Sequence, residues 1–119
     1  MRDFKRLKVW EKAHRLTLAV YQASATFPKS ELFGLTSQLR RASASVPANI
    51  AEGCGRGGET ELARYFRIAA GSASEAEYHL LLARDLGYID AAIYGRLLDD
   101  LIEVKRMIHA YSTKLMAEG

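Results

Sequence analysis

The sequence has little cysteine, little proline and no long apolar run. Its single cysteine, Cys54, excludes an internal disulfide and any zinc site built on cysteine pairs. No stretch approaches eighteen uninterrupted apolar residues, and the first ten residues lack the apolar run of a signal peptide, so we expect neither a membrane protein nor a secreted one. With 2 prolines, 49% apolar and 26% charged residues among 119, we expect one cytoplasmic globular domain over residues 1–119.

The net charge of +3 is small, but it is unevenly distributed along the chain. Residues 1–15 carry six basic side chains against two acidic ones, and residues 75–103 carry seven acidic side chains against two basic ones. This asymmetry predicts a basic surface for phosphates beside an acidic surface for a protein or a neighbouring subunit, with an ordinary solvated surface as the alternative. The first basic candidates are Arg2, Lys5, Arg6, Lys8, Lys12 and Arg15, and the second group is Arg40, Arg56, Arg64 and Arg67.

Apolar residues recur at helical spacing through almost the whole chain, and no segment alternates as a half-buried strand does. The predicted helices cover residues 7–26, 33–53, 59–86 and 90–116. Pro47 predicts a kink near Ser43 rather than a break, and Asp90 is placed to cap the fourth helix. Four amphipathic helices with short connections predict an all-α, antiparallel, up-and-down four-helix bundle.

Two rows of side chains lie beside the apolar stripes of the first two helices. On the first helix, Trp10 and Tyr21 belong to an aromatic arc that is broader than one packing contact requires, which indicates a second contact surface. On the second helix, five polar residues repeat at spacings of three, four, four and three, and they form either a solvated face or a buried hydrogen-bonded network. These five residues are Gln38, Arg41, Ser45, Asn49 and Glu52.

Glycine residues cluster after the second predicted helix and again inside the third. Residues 53–58 match the pattern GxGxxG, but no strand precedes them, the Walker lysine is missing, and Glu59 and Glu61 would repel a phosphate. The cluster therefore predicts a helix end and a connecting loop, with Cys54 as an exposed bystander thiol. Gly71 lies in a run of small residues, which predicts a close approach by another helix.

No set of side chains converges by spacing on catalysis or on metal binding. His14, His79 and His109 lie on three different predicted helices, and none completes the Glu-x-x-His spacing of carboxylate-bridged di-iron bundles. Arg106 and His109 stand too close for the arginine and histidine spacing of the helical HEPN ribonucleases. We therefore expect no enzyme, no metal and no cofactor.

A long motif covers most of the second predicted helix: QLRRASASVPANIAEG at residues 38–53, followed by Arg56. Phe27-Pro28, Phe66 and Leu86-Gly87-Tyr88 belong to the same pattern elsewhere in the chain. Together these residues resemble the four-helix-bundle family of the 23S rRNA intervening-sequence proteins, also called S23. The resemblance implies an assembly into a five-fold ring, hence a homopentamer. The family is also similar to the accessory variability determinant of diversity-generating retroelements, whose strongly basic balance this chain, at +3, does not share.

The resemblance gives a role to the two rows of side chains and to the basic residues. Trp10 and Tyr21 become candidate subunit contacts, as large aromatic residues often are. The polar row, together with Glu75, becomes a candidate network that joins the second and third helices within one subunit or across a boundary. We expect a non-enzymatic oligomer that binds structured RNA or DNA through its basic surface. The alternative is a protein-binding adaptor or scaffold ring with no nucleic-acid contact.

Overall fold

The structure, a computed structural model, describes residues 2–118. Within that range the chain forms four α-helices, with short 3-10 helices at Phe4–Arg6 and Lys29–Glu31, and it contains no strand. Helix α1 spans Lys8–Ser24, α2 spans Leu35–Arg56, α3 spans Glu59–Asp85 and α4 spans Ala91–Glu118. The four predicted helices are confirmed, with ends that differ by three residues at most.

Each helix contributes an apolar stripe to a shared core. Helix α1 packs against α2 and α4, and α3 packs against the same two helices. Ile50 and Phe66 are completely buried in this core, as is Val104 of α4. Burial of each such side chain contributes about 1.5–3 kcal/mol, so this stripe packing is the main source of stability. None of the helices in the described range is long and apolar enough to cross a membrane.

Helix α2 extends through half of the glycine cluster. It ends at Arg56, and Gly57, with a φ of 86°, adopts the left-handed conformation that caps a helix end. The prediction of a loop from Gly53 onward was therefore wrong. The prediction of an exposed Cys54 was also wrong, because this side chain is only 2% exposed inside α2. Burial raises the pKa of its thiol, which makes Cys54 a structural residue.

The small-residue run of α3 packs on α2 as predicted, since Ala73 is completely buried and Ser72 meets Ser45. Gly71 itself lies off this contact, and the glycine at the close approach is Gly53. A Cβ atom on Gly53 would lie 2.8 Å from the Cβ atom of Tyr65 and 3.2 Å from the Cδ1 atom of Leu62, both on α3. A Cβ atom on Gly71 would meet no atom within 4 Å, since this residue is exposed. Packing of α2 against α3 thus outweighs the cost of about 1 kcal/mol for a glycine inside a helix.

Pro47 lies inside α2, and the helix continues through it as one element. A proline has no N–H group, so the carbonyl oxygen of Ser43 loses its helical donor. Thr17 of α1 replaces that donor. Its Oγ1 atom lies 3.1 Å from the Ser43 carbonyl oxygen and 2.9 Å from that of Ala13, and the two acceptors share its proton. The proline therefore sits where α1 and α2 are hydrogen bonded, while the kink near Ser43 stays a prediction.

Asp90 begins the fourth helix as predicted. Its Oδ1 atom accepts a hydrogen bond of 2.8 Å from the backbone N–H of Ile93, which is the geometry of a side-chain N-cap. The α3–α4 connection before it is held to the α1–α2 connection, because the Tyr88 hydroxyl donates to Oε2 of Glu31 at 2.9 Å. This hydrogen bond raises the pKa of Tyr88. Two loops at one end of the molecule are thereby fixed to each other.

Candidate functional site

The basic N-terminal segment lies at the end of the molecule where α2 meets α3. The backbone N–H of Arg2 donates to the carbonyl oxygen of Cys54 at 3.2 Å, and the Arg2 guanidinium pairs with Glu59. Lys8, at the start of α1, lines a groove together with Lys114, near the end of α4. The starts of α1 and α3 and the ends of α2 and α4 therefore bring their basic residues to one end of the molecule, which we call the basic end. The basic end comprises Arg2, Lys5, Arg6, Lys8, Arg56, Arg64 and Lys114.

Three of the first-group cations are held in ion pairs. Arg2 pairs with Glu59, Lys12 with Glu103 at 2.9 Å, and Arg15 with Glu11 at 3.0 Å. The hydrogen bond that the Arg2 guanidinium donates to Glu59 raises the pKa of Arg2, so this arginine stays charged. A cation with its own carboxylate has less to offer a phosphate, because binding first requires the internal pair to open. These three residues are therefore weaker candidates than sequence reasoning made them.

The remaining three cations of the first group are available to a ligand. Lys5 and Lys8 form no ion pair with any side chain that the structure describes, residues 2–117. Arg6 reaches Asp3 only at 4.0 Å, and its side chain is 88% exposed. Exposed cations with no carboxylate partner, or with one only at 4.0 Å, provide the counterion-release surface that a polyanion requires. Lys5, Arg6 and Lys8 therefore form the centre of the candidate site, and we call them the free cations.

Sequence reasoning missed Lys114, which the structure places beside the free cations. It is exposed, forms no ion pair within the described part of the chain, and faces the same groove as Lys8. The signal available in the sequence was the predicted topology. A four-helix up-and-down chain brings its first and last segments to the same end, so basic residues late in α4 belong with those early in α1.

Arg40, from the second group of candidates, has a structural role. Its Nε atom donates to Oγ of Ser24 at 2.8 Å, and its guanidinium lies 4.6 Å from the ring centroid of Tyr21. A second hydrogen bond of 3.2 Å runs to the Tyr21 carbonyl oxygen. Arg40 thus fastens α2 to the end of α1.

Arg56 and Arg64 surround one aromatic ring. Their guanidinium carbons lie 5.3 Å and 4.6 Å from the centroid of Tyr65, and Arg56 also donates to the Tyr65 hydroxyl at 2.9 Å. Each arginine has its own carboxylate, Glu52 at 3.1 Å and Glu61 at 2.9 Å. The Arg64 hydrogen bond lowers the pKa of Glu61, which keeps that carboxylate charged.

Arg67 differs from the other second-group candidates. It is exposed and forms no ion pair with a residue of the described range. Arg67 is therefore available to a ligand in the way that the free cations are.

The polar row on α2 is brought together only in part. Ser45 and Ser72 face each other across the α2–α3 contact with their hydroxyl oxygens 2.9 Å apart. Asn49 donates through Nδ2 to Oγ of Ser45 at 2.9 Å and to its carbonyl oxygen at 2.7 Å. These half-buried groups form a short hydrogen-bonded chain that links the two helices. Ser72 was not among the predicted residues, and its place in the small-residue run of α3 was the available signal.

The other members of the predicted network lie outside this cluster. The side chains of Gln38 and Arg41 are exposed and make no hydrogen bond to a described residue. Glu52 pairs with Arg56, while the largely exposed Glu75 lies 3.3 Å from Nε2 of the buried His79. A network that includes these residues across a subunit boundary stays a prediction.

Trp10 and Tyr21 occupy different environments on α1. Trp10 is half-buried against the core, with its ring 5.0 Å from Phe4 in an edge contact and 4.9 Å from His14 in a stacked one. Tyr21 is more exposed and is covered on one face by Arg40. Sequence reasoning missed Phe33, which is 93% exposed just before α2. An aromatic side chain so exposed is a stronger candidate for a protein contact than Trp10.

No group of three or more histidine, cysteine, aspartate or glutamate side chains in the described range could hold a metal ion. His14 stacks on Trp10, His79 is buried beside Glu75, and His109 lies on α4 at the edge of a different groove. The three histidines are therefore dispersed, as their positions in the sequence indicated.

Comparison with known proteins decides the family. The model of the family described as 23S rRNA-intervening sequence protein matches residues 5–110. The chain belongs to this family. The match includes the free cations and the whole polar row, and it ends before Lys114. The resemblance noted from the α2 motif is thereby confirmed.

One solved structure shows the same fold as this member of the 23S rRNA-intervening sequence family. It is the crystal structure of a protein with unknown function from the S23 ribosomal protein family of Bacteroides thetaiotaomicron. The two chains superpose with a TM-score of 0.78 at 22% identity, over 87% of this chain and 97% of the other. No curated protein matches the chain.

Proposed function

We propose that this 23S rRNA-intervening sequence protein is a non-enzymatic, cytoplasmic homo-oligomer that binds structured RNA or DNA through phosphate contacts at its basic end. One observation carries the proposal. Lys5 and Lys8 form no ion pair with a described side chain, Arg6 reaches Asp3 only at 4.0 Å, and Lys114 joins these three cations from α4. Phosphate contacts of this kind supply the sequence-independent part of nucleic-acid affinity and position the protein on its ligand.

The proposed architecture is an antiparallel up-and-down bundle. Contacts between neighbouring helices support it, because the numbering runs in opposite directions along each pair. Residues late in α2 meet residues early in α3, as Gly53 meets Tyr65, and earlier residues of α2 meet later residues of α3, as Ser45 meets Ser72. The two-residue connection Gly57-Gly58 also requires a direct reversal.

A labelled RNA hairpin and a DNA duplex of equal length test the proposed function. We expect fluorescence anisotropy to give micromolar or tighter binding at low salt. The logarithm of the affinity should fall linearly with the logarithm of the salt concentration, with a slope of about −3 if three to four phosphates are contacted. Absence of binding to both ligands at low salt would overturn the proposal.

The proposed oligomer is a ring of five copies, as the family resemblance implies. A ring uses two different patches on each subunit, and Phe33 with the neighbouring Leu32 is an exposed apolar patch suited to one of them. Light scattering should give a mass of five times 13.2 kDa for the wild type and a lower mass for Phe33→Ser. Trp10→Ala tests the α1 contact in the same way, provided that the variant keeps its helical spectrum. A monomeric wild type would contradict the ring.

The same patch favours a protein-binding adaptor as the second candidate function. Leu32 and Phe33 are both at least half exposed, and they lie in the connection between α1 and α2, away from the basic end. If Phe33→Ser leaves the mass of the assembly unchanged, the patch faces a different protein. Partner binding that is insensitive to salt and lost in Phe33→Ser would then favour the adaptor over the nucleic-acid-binding protein.

A further inference from the structure

The start of α1 and the end of α4 border an apolar groove of about 370 Å³ at the basic end. Most of its surface is carbon, and the charged side chains among its described lining residues are two lysines, one on each helix. Its lining includes Leu7, Lys8, Met107, Ala110, Tyr111 and Lys114. The groove thus has an apolar floor with a positive charge contributed from each side.

Its charge distinguishes this groove from four others in the described part of the chain. Each of the others includes at least one carboxylate: Asp100, Glu59, Glu77 or Glu103 contributes to them. The described lining of the groove at the basic end includes no carboxylate, and neither Lys8 nor Lys114 forms an ion pair with a described side chain. Its occupant should therefore have an apolar body with negative charges on both sides.

We propose that this groove takes an unpaired nucleobase of a bound RNA, with the neighbouring phosphates on Lys8 and Lys114. The inference rests on the proposed function and names the part of the nucleic acid that is recognised. A base in a single strand is a flat ring between two phosphates, which matches an apolar floor between two lysines. Sequence-tolerant RNA binding commonly combines such a platform with a basic track.

Two further observations favour RNA over an acidic peptide as the occupant. The positive charge continues beyond the groove through Arg6 and Lys5. A sugar-phosphate backbone would use these additional cations, whereas a short acidic peptide would not. The wall of the groove is also rigid, because the Tyr111 ring is stacked at 4.7 Å on the fully buried Phe66. A fixed aromatic wall suits stacking on a planar base.

The test compares two RNA duplexes with equal numbers of nucleotides, one fully paired and one with a two-nucleotide bulge. We expect the bulged duplex to bind about tenfold more tightly, which corresponds to about 1.4 kcal/mol and lies within the range for stacking one base. Ala110→Leu fills the groove without changing the charge, so it should remove this preference and leave the affinity for the paired duplex unchanged. Ala92→Leu, exposed at the other end of α4, is the matched control and should keep the preference.

The outcomes separate this inference from the proposed function. Equal binding of the two duplexes by the wild type, or a preference that survives in Ala110→Leu, would overturn the nucleobase groove and leave phosphate binding in place. Absence of binding to either duplex would overturn both. If an acidic peptide with one phenylalanine binds more tightly than the bulged RNA, and if Ala110→Leu abolishes this binding, the groove would be assigned to a protein partner instead.

Discussion

The α2–α3 contact and the α1–α4 contact of this bundle are built differently. Helices α2 and α3 approach so closely that Gly53 has no room for a side chain, and Ser45 and Ser72 are hydrogen bonded between them. Helices α1 and α4 instead leave grooves of about 420, 370 and 260 Å³ along their length. An exposed ion pair between Lys12 and Glu103 bridges the two helices.

The difference follows from the side chains that each pair presents. Ala69, Ala73 and Ala76 on α3 are buried, and such small residues let helix backbones approach closely. Long side chains such as Arg96 and Lys114 border the α1–α4 grooves, where their charged ends stay in water. The α2–α3 pair therefore provides rigidity, while the α1–α4 pair provides the surface on which a ligand can bind.

The largest expected effect breaks the close contact. Gly53→Ala would place a methyl group 2.8 Å from Cβ of Tyr65, so we expect a loss of about 1–3 kcal/mol in the free energy of unfolding. Gly71→Ala is the matched control on α3, where the new methyl group meets open space and should stabilise the helix by about 1 kcal/mol. Urea denaturation measures both. Equal effects of the two substitutions would contradict the close approach.

A smaller effect is expected for the polar row. Ser45→Ala leaves the hydroxyl of Ser72 and one N–H of Asn49 without their half-buried partner, at a cost of about 1 kcal/mol. Glu52→Ala removes only a half-exposed pair with Arg56 and should cost less than about 0.5 kcal/mol. A cost of several kcal/mol for Glu52→Ala in the assembled protein would instead favour a buried network across a subunit boundary.

The smallest effect is expected at the open contact. Both partners of the Lys12–Glu103 pair are 47% exposed, so Lys12→Gln should lower the free energy of unfolding by less than about 1 kcal/mol. Because salt screens exposed charges, the difference from the wild type should vanish in about 1 M salt. Thermal unfolding at low and high salt checks this. A loss that persists in high salt would mean that α1 and α4 depend on this contact for packing.

The helices themselves could be predicted because their apolar stripes are long and regular. Asp90 was found as a cap because its signal is local: a short acidic side chain just before an amphipathic run. The end of α2 was misplaced because glycine normally ends a helix, whereas here Gly53 is retained for contact with α3. The need for a glycine at position 53 is set by α3, which is a neighbour in space, so it leaves no local signal in the sequence. Because α2 continues past Gly53, Cys54 is buried inside the helix.

The candidate site was predicted as a charged segment but not in its detail. From the sequence alone, Arg2 and Lys12 ranked equally with Lys8 as candidate phosphate-binding residues. In the structure, Arg2 and Lys12 form ion pairs with carboxylates on α3 and α4. Such partners are distant in the sequence, so only the folded chain distinguishes paired cations from free ones. Lys114 and the apolar groove beside it emerge for the same reason, since they join the two ends of the chain.

The most direct test of this account compares two triple variants that remove equal charge. One changes the free cations Lys5, Arg6 and Lys8 to glutamine. The other changes to glutamine three arginines that each form an ion pair with a glutamate of the same helix. The second set is Arg15, Arg56 and Arg64. In a salt series with structured RNA, we predict that the first variant lowers the slope of log affinity against log salt by about 2–3, while the second leaves it nearly unchanged. Equal losses in the two variants would mean that overall charge, rather than the free cations in particular, attracts the nucleic acid, and would contradict the account.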